Sequence, residues 1–151
     1  MGVENGEVCS PDGLGGGRRR GGLGGADGEE AAHVGGEEQD VGEAAERAAA
    51  GFAAMGICVG SVVTWQLPTW IESLVLVAAL SRLGAVQNPV LPIYREREVA
   101  FVTAQASARL LVVPSEWRGF DFEAMATPIA AANDGCSVLV VDRQLPDGDP
   151  S

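Results

Sequence analysis

Four short apolar segments at regular spacing constrain the fold of this chain more than any other feature. They are Val62–Leu67 (VVTWQL), Ala85–Gln87, Arg109–Val113 (RLLVV) and Ser137–Val141 (SVLVV). Their β-branched and aromatic content reads as strand, and each gap between them is long enough for one helix. Apolar strands alternating with helices predict an α/β fold, a partial parallel sheet with helices on both faces. The crossovers should be right-handed, because right-twisted strands pack back onto the sheet only that way.

The segments between the strands carry helix signals. Glu43–Met55 is rich in Ala, Glu and Arg, with Gly56 as its stop. Pro68 ends the first strand. Thr69 then predicts an N-cap, with Glu72 completing a capping box, for a helix over Trp70–Leu83. That helix is apolar nearly all round at Leu74–Leu80 and expects cover on more than one side. Gly84 closes it, and Arg82 suits the dipole of its last turn. Pro89 and Pro92 hold the next stretch extended. Arg95–Ala106 then predicts a helix with Val99, Val102 and Ala106 on one face and Phe101 at its edge. Asp121–Met125 starts another helix. Pro128 either kinks it or opens a second one capped by Thr127, with Gly135 as the stop.

Glycine divides the chain. Of 21 glycines, 15 lie in residues 1–51, where large apolar residues are almost absent. Such a segment cannot offset its ordering entropy by burial. The expected organisation is a disordered acidic Gly-rich tail over 1–42, a folded part over 43–142, and a frayed polar tail over 143–151.

Charge and residue inventory exclude several functions. The net charge of −11 disfavours nucleic acid and anionic membrane as partners. All ten basic residues are Arg. Without Lys there is no Walker-type phosphate loop and no Schiff base. Cys9, Cys58 and Cys136 are far apart and His33 is the single histidine, so no zinc-ligand spacing exists. The cysteines read as reduced thiols of a cytoplasmic protein. The longest apolar run has seven residues, against about 20 for a membrane span.

The local candidates are weak. Arg18–Arg19–Arg20 with the following glycines resembles RNA-binding Arg-Gly segments but lacks aromatics for stacking. Gly13–Gly17 fails the G-x-G-x-x-G pattern, because Arg occupies position 18. His33 has nothing to orient it as a base. Glu96 and Glu98, two apart on a helix, point to different sides and read as a solvated first turn. Tyr94 reads as a cap on the edge of the core. The strand ends carry Pro68-Thr69, Asn88-Pro89, Pro114-Ser115 and Asp142, none of which makes a phosphate cradle. No catalytic, cofactor-binding or metal residue is assigned.

A family resemblance extends this reading. Gly60–Trp70 (GSVVTWQLPTW) looks like the early strand and helix start of AMP-forming acyl-CoA synthetases. Leu83–Pro89 (LGAVQNP) resembles the family's second core segment, and Pro92–Val99 (PIYREREV) follows at the family's spacing. Trp117–Asp121 (WRGFD) is similar to a branch that includes ligases of fatty and alicyclic acids. The sequence departs from the family at Ser61, where Asp is usual, and near Val59, where Pro is usual. The resemblance implies the N-terminal part of a fatty-acid–CoA ligase. That family converts a carboxylic acid, ATP and coenzyme A to an acyl-CoA with magnesium. The stretch lacks the family's lysine-bearing loop, its adenine, ribose and magnesium segments and its lid, so it is expected to be inactive alone. The alternatives are one half of a two-chain ligase, or a non-catalytic interaction module. In either case a second protein chain would cover an exposed apolar face.

Overall fold

The computed structural model describes residues 35–151. Expectations for Cys9, Gly13–Gly17, Arg18–Arg20, His33 and the rest of residues 1–34 lie outside them. Helix α1 runs Gly35–Ala54, starting eight residues before the expected Glu43. Its apolar stripe reaches back to Val41 and continues through Ala44, Ala45, Ala48, Ala49 and Phe52. Once that stripe is buried, adding turns at the front costs little, because propagation is far easier than nucleation.

Strand β1, Val62–Trp65, leads into α2, Ile71–Leu83. The expected Thr69 cap is not used. Trp70 is the N-cap, and no side chain caps it. Ser73 Oγ instead donates to the Trp70 carbonyl at 2.6 Å. At the other end Gly84 adopts φ 67°, and its N–H reaches the carbonyls of Leu80 and Ser81. This left-handed cap is what glycine is suited to. The expected cover of α2 on more than one side is met in part, by α1 and by Val63, Leu110 and Val112 of the sheet. Ser73, Val75, Leu76, Ala79 and Leu80 are buried, while Ile71, Leu74 and Val77 face outward.

Strand β2, Val86–Pro89, precedes α3, Glu96–Gln105. Strand β3, Leu110–Val113, is buried at all four residues. A hairpin of β4, Glu116–Trp117, and β5, Phe120–Asp121, follows. It was not expected from the sequence, because each strand has only two residues. Its turn places Arg118 at φ 51° and Gly119 at φ 74°, the pair of positive angles a tight two-residue hairpin requires. Helix α4, Phe122–Ala131, opens on Asp121, whose Oδ1 accepts from Ala124 N–H at 2.8 Å. It passes through Pro128 as one helix, so no second helix starts at Thr127. Thr127 Oγ1 donates back to Glu123 O at 2.8 Å rather than capping. The helix ends at Ala131 with Ala132 as its C-cap, before Gly135. Strand β6 is Ser137–Val140.

The four long strands are all parallel, in the order β2-β1-β3-β6. Side chains alternate along the central strand. Leu110 and Val112 join the layer with α1 and α2. Leu111 and Val113 join the layer with α3 and α4, through Val99, Phe122, Met125, Ala126 and Ile129. The sheet therefore has helices on both faces, as the apolar spacing predicted.

The residues after Asp142 are packed, where fraying was expected. Gly148 N–H donates to Arg47 O at 3.0 Å, Asp147 pairs with Arg47 at 3.4 Å, and Leu145 packs on the α1–α2 core. Two glycines make this approach possible. A Cβ on Gly51 would sit 2.7 Å from the Pro146 carbonyl carbon, and one on Gly148 would sit 2.7 Å from the Gly51 nitrogen. Turn-rich composition hid this contact, because a backbone-to-backbone approach leaves no hydrophobic pattern. Gly51→Ala is expected to loosen residues 143–148 and to cost about 1–3 kcal/mol, as overpacking does. Gly42→Ala, also in α1 but with nothing within 4 Å, should stabilise by about 0.5–1 kcal/mol. Denaturant midpoints of the two variants check this, and equal shifts in the same direction would contradict it.

Candidate functional site

In open parallel sheets ligands bind beyond the carboxyl ends of the strands, where neighbouring connections diverge. Here β1 leads outward to β2, while its neighbour β3 leads the other way to β6. The candidate crevice therefore lies past Trp65 and Val113.

The polar groups at this edge are largely spent on one another. Asp142 Oδ1 accepts from Ser115 N–H at 2.9 Å, tying the end of β6 to the end of β3. The Ser115 carbonyl accepts from the N–H groups of Phe122 and Glu123. Asn88 Nδ2 donates to Thr64 Oγ1 at 3.1 Å, linking β2 to β1. Arg143 lies 4.2 Å from the Trp70 ring centroid and 3.5 Å from Glu72 Oε2.

Gln66, one residue past β1, is fully buried and was not singled out from the sequence. Its Nε2 donates to the carbonyls of Leu91 at 2.8 Å and Tyr94 at 2.9 Å. Its Oε1 has no partner. The one available signal was a lone amide inside an apolar strand end, since buried amides are found where their hydrogen bonds are met.

The residues weighed from the sequence fall as follows. Glu96 and Glu98 are exposed in the first turn of α3, and Glu98 Oε2 accepts from Arg95 N–H at 3.4 Å. Tyr94 is 43% exposed, so it does not cap the core. It lines a surface groove of about 750 Å³ with Asn88, Leu91, Arg97 and Phe101. Cys58 is disulfide-bonded, which corrects the expectation of reduced thiols throughout. Cys136 is a free thiol, and burial pushes its pKa above the ordinary value of 9.0.

The donor set does not fit a triphosphate. The chain has no Lys, and Arg143, which follows Asp142 past the end of β6, is engaged by Glu72 and Trp70. Among the described residues no group of three or more His, Cys, Asp or Glu could hold a metal ion. None of their helices is long and apolar enough to cross a membrane.

A family profile described as AMP-binding enzyme matches residues 32–150. The chain belongs to this AMP-binding enzyme family. Among relatives, it is 41% identical over 88 residues to 2-hydroxy-7-methoxy-5-methyl-1-naphthoate–CoA ligase of Streptomyces carzinostaticus, covering 58% of this chain and 16% of that one. It is 33% identical over 123 residues to the salicyl-AMP ligase of Mycobacterium tuberculosis, covering 82% and 21%. A medium-chain fatty-acid–CoA ligase of Escherichia coli is 37% identical over 62 residues, covering 41% and 11%. Among solved structures, apo MatB from Rhodopseudomonas palustris superposes with a TM-score of 0.60 at 29% identity, over 74% of this chain and 20% of that one. ATP-bound MatB gives 0.60 at 27%, over 66% and 19%. The chain thus spans about one fifth or less of the relatives it matches. This AMP-binding family stretch holds the family's strand–helix scaffold, with no phosphate cradle among its described residues.

A thiol with a raised pKa holds its proton at neutral pH and attacks poorly. Cys136 should therefore alkylate more slowly at pH 7 than free cysteine, with the rate still climbing past pH 9. Mass spectrometry of iodoacetamide-treated protein reads the rate. Full modification within the time taken by free cysteine would contradict it.

Proposed function

We propose that residues 35–151 are the opening part of the N-terminal domain of an AMP-forming ligase that joins carboxylic acids to a thiol, and that this stretch does not activate an acid by itself. The observation that carries the proposal is the family match over residues 32–150 on a sheet whose carboxyl edge, among the described residues, has no Lys and has Arg143 engaged by Glu72 and Trp70. In a whole ligase, the carboxylate would attack the α-phosphate of ATP and take the adenylyl group, with pyrophosphate as the leaving group. The charge on departing pyrophosphate must be met by metal and cationic side chains worth several kcal/mol. The described residues supply structure to that site. The lysine-bearing loop, magnesium ligands and coenzyme A site belong to sequence beyond this stretch.

The acid is best described at class level. A fatty-acid substrate, which the resemblance alone implies, is supported by the Escherichia coli relative, while the naphthoate and salicyl ligases support aromatic acids equally. The proposal therefore covers both.

A second reading, an interaction module that needs another chain, is favoured by one observation. Ile93 and Phe101 are 71% and 65% exposed beside the open edge of β2, with Leu91 close by. Apolar exposure of this kind marks contact surface.

Exchange of labelled pyrophosphate into ATP tests the first reading. The purified chain with ATP, magnesium and a panel of fatty and aromatic acids is expected to give no exchange above background, while circular dichroism shows it folded. Acid-dependent exchange would overturn the reading. For the second, Phe101→Glu should lower the fluorescence of an apolar-surface dye by about half without shifting the unfolding midpoint, as expected for a surface change. Unchanged dye binding would remove it.

A further inference from the structure

We infer that Gln66 and Arg95 form a two-sided latch on the loop between β2 and α3, and that both act through one atom, the Tyr94 carbonyl oxygen. This inference does not depend on the chain being part of a ligase.

The loop over residues 90–95 has no regular structure of its own beyond a turn, with Tyr94 N–H reaching Leu91 O at 3.1 Å. From the sheet side, the buried Gln66 amide donates to Leu91 O and Tyr94 O. From the outer side, Arg95 Nη1 donates to Pro92 O at 2.6 Å and to Tyr94 O at 3.1 Å. The same guanidinium stands 4.0 Å from the Phe120 ring centroid and 5.6 Å from that of Phe122. Phe120 and Phe122 meet edge to face at 4.9 Å. A carbonyl oxygen has two lone pairs, and at Tyr94 each meets one donor. The strand end of β1, the loop after β2 and the hairpin after β3 are thereby joined through a single acceptor.

The physical logic is that of a loop whose outward groups are apolar. Leu91 and Ile93 cannot anchor it, because both are exposed. Val90 anchors the start of the loop, buried in the layer with α3 and α4 and donating its N–H to Trp65 O at 2.9 Å; past Val90 the loop's position must come from backbone carbonyls, and these need donors. A buried amide and a stacked guanidinium supply four bonds to three carbonyls. The arrangement makes Gln66 and Arg95 positioning residues for the loop and for the groove it borders.

Two single variants and their combination test the inference in the full chain. Gln66→Met keeps volume and removes both amide bonds. Arg95→Met keeps the stem and removes the guanidinium. Amide hydrogen exchange is read at Tyr94, with Val113 in the central strand as the reference. Each single variant removes two hydrogen bonds and is expected to speed Tyr94 exchange by at least about 5-fold, the effect of one ordinary hydrogen bond, and to leave Val113 unchanged. Because both donors share one acceptor, each single variant leaves the Tyr94 carbonyl its other donor, so the double variant should give more than the product of the two single effects. Three results would overturn the latch: no change at Tyr94 in either single variant, effects that do no more than multiply in the double variant, or faster exchange at Tyr94 and Val113 alike. The last would mean that Gln66 only fills the core. If Gln66→Met fails to fold, Arg95→Met decides alone, since Arg95 is exposed, and an unchanged Tyr94 then refutes the inference.

Discussion

The molecule is organised by the two-sided burial of β3. Leu110, Leu111, Val112 and Val113 are 2% exposed or less, although successive side chains point to opposite faces. Such a strand is stable only if both faces are covered at once. That single requirement sets α1 and α2 against Leu110 and Val112, and α3 and α4 against Leu111 and Val113. Each fully buried Leu or Val adds about 1.5–3 kcal/mol relative to exposure. Against a net stability of about 5–15 kcal/mol for a domain, the sheet cannot keep one layer without the other.

Much of this architecture is legible in the sequence, because apolar strands of fixed spacing leave few alternatives. RLLVV and SVLVV predict buried strands; Leu110–Val113 is buried at all four residues, while Ser137–Val140, at the edge of the main sheet, is only partly buried. What escaped sequence reading shares a physical cause. The Thr69 cap, the hairpin around Arg118-Gly119, and the contact of Gly51 with Pro146 all depend on backbone geometry rather than on a side-chain pattern. The start of α1 at Gly35 reflects tertiary burial of Val41 overriding a glycine-rich composition. At the candidate site the sequence showed which residue types stand at the strand ends. It could not show that Gln66 bonds to carbonyls 25 and 28 residues away.

The carboxyl edge illustrates how a scaffold differs from a catalytic site. Asp142, Ser115, Asn88 and Thr64 are chemically capable side chains or backbone groups, yet each is held by a neighbour. Hydrogen bonds used to align strand ends are not available to a ligand without an equal loss elsewhere. This fits a stretch that belongs to the AMP-binding family and spans about a fifth or less of the ligases it resembles. Function is argued from the part of a protein that holds the site.

The strand order carries a consequence for how the chain acquires its structure in time. Neighbouring strands of the main sheet are far apart in sequence. Val62 pairs with Val86, Val63 with Leu110, and Leu110 with Ser137. Every ladder must close a loop of more than twenty residues before its first bond forms, and closure entropy is lost before contacts repay it. During synthesis β1 can first find only β2. The central strand arrives later and joins on the opposite side of β1, and its own far edge stays open until β6 emerges. Helices and the short β4–β5 hairpin can form locally and early, while the sheet that holds them together is completed last.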